Sequence, residues 1–123
     1  MKTLHAQQQV FQALSDPTRL RMVRLLLGAG QPICQCEFVD SLEVSPANIS
    51  RHAKILLQAG LLEERREGKW VYYQVAKGAV SLRTALAQNR DPVVADDLHR
   101  FQKRLKLRQA GKCLMGVQSQ QFR

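Results

Sequence analysis

The residues of this 123-residue chain best suited to chemistry are its three cysteines. Cys34 and Cys36 are separated only by Gln35, and Cys113 lies near the C-terminus. A Cys-x-Cys pair offers two soft thiolates to arsenic(III), antimony(III) or another thiophilic ion. The same pair can be two buried, inert thiols, because free cysteine is among the most buried residue types. Spacing alone leaves both readings open. Three cysteines are too few and too oddly spaced for a disulfide scaffold, and in a reducing compartment they are thiols. Redox catalysis by an oxidoreductase usually uses Cys-x-x-Cys beside a βαβ pattern, and the sequence has neither. It also lacks a glycine-rich phosphate loop, a nucleophile elbow and an identifiable paired-carboxylate cleft, so an enzyme is not expected.

The chain is 45% hydrophobic and 24% charged, which implies a folded core rather than disorder. Its net charge is +9 and its pI near 10.1, a balance that favours a polyanionic partner, above all nucleic acid. The charge is uneven. Residues 31–44 hold Glu37, Asp40 and Glu43 with no basic residue, and most of the basic excess falls after residue 75. There is no apolar run of about 18 residues to span a bilayer and no signal-peptide stretch after Met1. The expectation is a cytoplasmic protein with no membrane partner, no small organic substrate and no obligatory cofactor.

Around the cysteines the chain reads as short helices. Thr3 to Leu14 places Leu4, Val10, Phe11 and Leu14 as the apolar positions of a first helix. Ser15-Asp16-Pro17 supplies a cap with proline at the first helical position. Leu20, Val23, Leu26 and Leu27 follow at helical spacing, with Arg21 and Arg24 off that face, until Gly28 and Gly30 end the helix. Pro32 opens a third helix with Phe38, Val39 and Leu42 as its buried stripe, and Cys34 and Cys36 at its start. Ser45-Pro46 repeats the cap signal and begins a fourth helix that stops at Gly60. Two capped helices joined by a tight turn have the spacing of a helix-turn-helix. Leu61 to Arg66 and Trp70 to Val75 then read as strands around Glu67-Gly68-Lys69, a two-stranded wing. Ala79, Leu82 and Leu86 mark another helix, ending before Asn89. Asp91-Pro92 caps the last one, with Val94, Leu98, Phe101 and Leu105 as its stripe. These apolar stripes exceed what so small a core needs, which suggests a homodimer through the terminal helices. Residues 1–110 form the expected domain, and residues 111–123 a flexible polar tail.

Projected at 100° per residue, the fourth helix places Ile49, Ala53, Leu56 and Leu57 on one side. Ala47, Asn48, Arg51, Lys54 and Gln58 fall on the other, with Ser50 and His52 on the flanks and Ile55 as the apolar exception. An amide, a guanidinium and an ammonium near the helix start suit base edges and phosphates in a major groove. An ordinary solvated face has the same pattern. Arg65, Arg66 and Lys69 flank the wing turn and could reach the DNA backbone, although the neighbouring glutamates also fit a solvated hairpin tip. Trp70, Tyr72 and Tyr73 suit strand packing better than base stacking.

Asp16-Pro17-Thr18-Arg19-Leu20-Arg21, Asn48-Ile49-Ser50-Arg51-His52, Ala59-Gly60-Leu61-Leu62 and Gly68-Lys69-Trp70-Val71-Tyr72-Tyr73 together resemble the arsenical-resistance repressor (ArsR/SmtB) family over roughly residues 5 to 78. The resemblance implies a mainly α fold with a small β-wing, a homodimeric winged helix-turn-helix repressor of double-stranded operator DNA. Ser45, Asn48, Ser50, Arg51, His52, Lys54, Arg65, Arg66 and Lys69 are then the expected DNA-contacting residues. It also implies release by a metal or metalloid inducer. Cys34 and Cys36 match the first two ligands of the family's arsenic site, but Val39 stands where that site has its third cysteine. Cys113 is the one cysteine left to complete a site, from its own or the partner subunit; an incidental tail thiol is the alternative. Cadmium, lead or zinc, or thiol oxidation, are alternative triggers. Residues two apart on a helix are separated by 200°, so binding by both Cys34 and Cys36 is expected to unwind the third helix. That strain would then pass to the fourth. Asp97 and His99 resemble half of the family's zinc site, but a solvated helix face accounts for them better.

Overall fold

The computed structural model describes residues 3–87 and 91–118. The first helix, α1 (Leu4–Leu14), is capped by Thr3, whose hydroxyl accepts the Ala6 N–H. It buries Val10 and Ala13 but leaves Leu4 and Phe11 exposed. In α2 (Pro17–Ala29) the Asp16 carboxylate accepts the Arg19 N–H, Pro17 occupies the first turn, and Gly30 closes the helix at φ 66. Its buried residues are Met22, Val23, Leu25 and Leu26, so the core-facing side is broader than the expected stripe.

The expected helix start at Pro32 is corrected by the fold. Ile33–Cys34 form a short strand, β1, and α3 begins only at Gln35 and runs to Leu42. β1 pairs antiparallel with β3 (Trp70–Val75), Ile33 opposite Tyr73 and Cys34 opposite Tyr72. β3 also pairs with β2 (Leu62–Glu67), from Leu62 opposite Val75 to Glu67 opposite Trp70. The wing is therefore three-stranded, in the order β1-β3-β2. The third strand escapes sequence reading because two residues carry no alternation; pairing covers an edge of β3 that would otherwise expose its N–H and C=O groups. The two-residue connection Gly68-Lys69 puts Gly68 at φ 60, which glycine accepts without a Cβ penalty.

Between the sheet strands in sequence, α4 (Pro46–Gln58) starts at Ser45, whose hydroxyl accepts the Asn48 N–H. Ile49, Ala53 and Leu56 enter the core with Leu25, Phe38, Leu61 and Phe101. The helix expected from Ala79 divides into a 3₁₀ segment, Lys77–Leu82, and a short α5 (Arg83–Ala87); its expected end before Asn89 lies outside the described residues. The last helix, α6 (Pro92–Leu105), packs against α3 and α2. Of its expected stripe, Phe101 is buried while Val94, Leu98 and Leu105 are half-buried. No described helix is long and apolar enough to cross a membrane.

Past α6, Gln109 and Lys112 exchange backbone hydrogen bonds of 2.9 and 3.0 Å around Ala110 and Gly111, both at positive φ (52 and 74). This tight turn sends the chain back over the domain. The Cys113 N–H donates to the Tyr72 hydroxyl at 2.7 Å, and the Gln118 N–H donates to Asp40 at 2.8 Å. Over residues 111–118 the expected tail is thus a docked segment; residues 119–123 lie outside the described ones.

Candidate functional site: a buried thiol cluster beneath a basic helix and wing

Cys34 and Cys36 reach the same point from different elements. Cys34 is the N-cap of α3 with extended backbone (φ −73, ψ 150), and Cys36 lies in the first turn. The 200° separation expected of two residues in one helix therefore does not arise, and no unwinding is needed to bring them together. Their Sγ atoms are 3.5 Å apart. The hairpin at Ala110-Gly111 delivers Cys113 to the same place, with its Sγ 3.2 Å from that of Cys36. All three sulfurs lie within 4.8 Å of one another, and all three residues are buried.

Salt bridges lock the walls of this cluster. The wholly buried Arg104 of α6 donates through Nε to Asp40 of α3 at 2.7 Å. Its Nη2 donates to the Met115 and Gly116 carbonyls at 2.7 and 3.0 Å and lies 3.5 Å from the Cys36 sulfur. Arg108 pairs with the buried Glu37 at 2.6 Å and also donates to the Pro32 carbonyl. Glu37 in turn accepts the Cys34 N–H at 2.8 Å. A cation buried this way is tolerated because a carboxylate at Nε and carbonyls at Nη2 replace lost water there. Of the basic residues after α6, Arg108 thus pairs with Glu37 of the acidic stretch, whereas Lys112 lies 3.8 Å from Glu67 in the wing.

The three thiols lie close enough to share protons with one another. Sharing with the Cys34 and Cys36 thiols, then the Arg104 guanidinium, outweighs burial and holds the Cys113 thiol well down, at about 3. The same sharing with Cys113 pushes Cys34 up to about 11 and raises Cys36 as well. The direction is toward one thiolate shared within the cluster, with thiol donors beside it. A ready thiolate flanked by two thiols is a ligand set for a soft ion. Two aromatic residues complete the surround. Tyr72 is buried in contact with the cluster and Trp70 packs against it.

The DNA-facing candidates are distributed differently. Asn48, Ser50, Arg51 and Lys54 are exposed on one face of α4. Ser45 is exposed too, but its hydroxyl is engaged in capping α4. Arg51 Nη2 donates to Asn48 Oδ1 at 3.4 Å. His52 is the correction in this group: it is only 6% exposed. Its Nδ1 lies 3.2 Å from Arg19 and 3.9 Å from Asp16, which ties α4 to the start of α2. Burial lowers its pKa, Asp16 opposes that shift, and Arg51 and Arg19 reinforce it. In the wing, Arg65 lies 3.3 Å from Glu67 and Arg66 lies 3.9 Å from Glu64. Arg65 also stands 5.2 Å above the Tyr72 ring, and Lys69 stands 4.9 Å above Trp70.

Asp97 is not on a solvated face. It is 1% exposed and held by Arg21 and Arg100, at 2.8 and 2.9 Å, so it ties α6 to α2. His99 stays exposed. Sequence reading missed Arg104, Asp40, Tyr72 and Trp70 as parts of the thiol site. Cationic and acidic residues 64 positions apart give no local signal of pairing.

An exposed basic face on the second helix of a helix-turn-helix, beside a β-wing, defines a winged helix-turn-helix DNA-binding regulator. The chain belongs to the ArsR family of bacterial regulatory proteins, whose family model matches residues 16–64. That family consists of transcriptional regulators rather than enzymes. It is 47% identical over 66 residues to the arsenic resistance transcriptional regulator ArsR1 of Pseudomonas putida, covering 54% of this chain and 51% of that protein. It is 36% identical over 72 residues to the arsenical resistance operon repressor of Bacillus subtilis, covering 58% of this chain and 68% of that one. The chain thus spans about half the length of the Pseudomonas relative. Among solved structures, the homodimeric winged helix-turn-helix DNA-binding domain of Mb0332 from Mycobacterium bovis matches with a TM-score of 0.60 at 31% identity, covering 76% of this chain and 82% of that domain.

Proposed function

We propose that the protein is a metalloid-responsive repressor. It binds operator DNA as a homodimer and is released when Cys34, Cys36 and Cys113 capture arsenic(III) or antimony(III). The observation that carries this reading is the convergence of three buried sulfurs, with spacings of 3.2 and 3.5 Å measured from Cys36. With ion–sulfur bonds of about 2.3 Å, the zinc–thiolate length, those spacings correspond to angles of about 90–100° at the ion. Both angles are narrow enough for a pyramidal trivalent centre, and the third spacing, Cys34 to Cys113, lies within 4.8 Å and closes as the ion binds. No fourth histidine, cysteine or carboxylate joins the group among the described residues, which disfavours a four-coordinate divalent ion. The reaction balances without a redox step: arsenous acid, As(OH)₃, meets two thiols, one thiolate and one proton, and three As–S bonds replace three As–OH bonds with loss of three waters.

In the dimer, two-fold related α4 helices enter successive major grooves about 34 Å apart. Asn48, Ser50, Arg51 and Lys54 face the DNA there, and Arg65, Arg66 and Lys69 of the wing run along the backbone. Ser45 serves as a cap and His52 as an internal support. Coupling runs through the wing as well as through α3 against α4. A three-sulfur complex draws Cys34 and Cys113 to one centre. Cys34 is the strand partner of Tyr72, and Cys113 donates to the Tyr72 hydroxyl. Tyr72 supports Arg65. A coupling of about 1–3 kcal/mol is enough for release, and DNA then weakens inducer binding by the same factor.

X-ray absorption on the arsenite complex tests the site. Three sulfur neighbours are expected in the parent and two in Cys113→Ser; three in the variant without added thiol would overturn the assignment. Titrating the operator complex with arsenite and separately with an oxidant distinguishes inducer capture from an oxidative trigger.

A further inference from the structure

The sulfur cluster has two unlike sides. Cys113 closes one side together with Arg104 and the Met115 and Gly116 carbonyls. On the other, Cys34 and Cys36 form part of the wall of an open cleft of about 220 Å³ that Cys113 does not line. Of the remaining walls, Val39, Pro46, Trp70, Val71 and Val117 are apolar, and Gln35 and Lys69 are polar. Val39 occupies the α3 position one helical turn beyond Cys36, so a short apolar side chain keeps the cleft next to the two sulfurs.

We infer that this cleft is a substituent subsite. The Cys34–Cys36 pair also captures trivalent arsenicals that carry one aryl or alkyl group, with that group seated in the cleft and Cys113 left uncoordinated. Such an arsenical, R–As(OH)₂, has two exchangeable positions. Two thiols satisfy it, R–As(OH)₂ + 2 Cys–SH giving R–As(S–Cys)₂ and two waters, with arsenic trivalent throughout and the As–C bond intact. The third position, taken by Cys113 in the inorganic complex, is taken by carbon. Size and polarity fit a ring, since apolar cavities of about 150 Å³ admit benzene. Trp70 offers its aromatic surface to the group, and Lys69 stands over the Trp70 indole.

The inference rests on the proposed arsenic site, and one experiment separates the two. Arsenite and phenylarsenous acid are titrated against reduced full-length protein, read by fluorescence of Trp70, the chain's single tryptophan, and by operator release. Cys113→Ser should lose about tenfold or more in arsenite affinity while its phenylarsenous acid affinity stays within about threefold. Filling the cleft by Val117→Phe should do the reverse, in the range of about 10–200-fold by which a pocket discriminates on size. Val71→Phe is a second filler from a different element. Retained arsenite binding in either filler also shows that the variant is folded. Equal dependence of both ligands on Cys113, or unchanged phenylarsenous acid binding in both fillers, would overturn the subsite. If arsenite binds through all three cysteines and phenylarsenous acid does not bind, the arsenic site stands and this inference falls. If phenylarsenous acid binds through Cys34 and Cys36 while arsenite does not bind, the arsenite reading falls and the subsite stands.

Discussion

The thiol cluster and the α4–wing face differ in how their charges are held. Around the cluster, Arg104, Asp40 and Glu37 are wholly buried and each is tied to residues far away in sequence. On α4, Asn48, Arg51 and Lys54 stand in solvent, and Arg51 meets Asn48 only three residues away. A surface that meets a polyanion must keep its cations free to exchange water and counterions for phosphates. A site that captures an ion must hold its ligands in place beforehand. Stability should therefore depend on the first region and DNA affinity on the second.

The sharpest way to break that contrast is Arg104→Met. Removing one partner of a buried ion pair strands the other charge, so a loss of about 3–5 kcal/mol in denaturant unfolding is expected. Adding Asp40→Asn should recover part of it. A loss of no more than about 0.5 kcal/mol, the size expected for a surface substitution, would erase the distinction. Arg51→Ala is the mirror experiment. It should change unfolding by no more than about 0.5 kcal/mol but cost about 1–3 kcal/mol in operator affinity if it reaches a base edge. Lys69→Ala should weaken all DNA sequences alike and lower the salt slope by about 0.9.

Tyr72→Phe probes where the two regions meet. It removes the acceptor for the Cys113 N–H but keeps the ring under Arg65. Operator affinity without inducer should hold, while the difference between inducer-free and arsenite-loaded protein shrinks by about 0.5–1.5 kcal/mol, one hydrogen bond. Unchanged coupling would place the whole connection in α3 and α4. The smallest effect concerns His52, which belongs to α4 yet is buried like the cluster. Because its folded pKa lies below the unfolded value near 6.5, the unfolded chain takes up a proton first as pH falls. Its stabilising contribution is present above about pH 6.5 and is lost through the folded pKa. Urea unfolding at pH 7.5 and 5.5 should show a shallower decline in His52→Gln than in the parent. An identical decline would remove His52 from the account.

Legibility in the sequence followed the same divide. The caps at Asp16, Ser45 and Asp91, the stop at Gly30 and the Gly68-Lys69 turn are local signals, and each marks a boundary in the fold. The exposed face of α4 is a projection of one helix and needs no tertiary information. His52 was misplaced because a flanking position is buried or exposed according to what packs beside it, here Arg19 and Asp16. Asp97 was misplaced for the same reason, its partners being Arg21 and Arg100.

By itself the sequence determined the helix and strand segments near caps and turns, the exposed basic face of α4, and three thiols with no local third ligand at Val39. Nearest-neighbour backbone sterics, capping hydrogen bonds and helical periodicity act over a few residues and are written into the chain directly. Only the tertiary structure decided that Ile33–Cys34 join the wing as a strand, which releases Cys34 from the geometry of α3. Only it decided that a turn at Ala110-Gly111 returns Cys113 to Cys36 across 77 positions, beneath Arg104. Those outcomes depend on which distant groups satisfy one another's charge and hydrogen bonds once water is excluded, and no local pattern encodes that pairing.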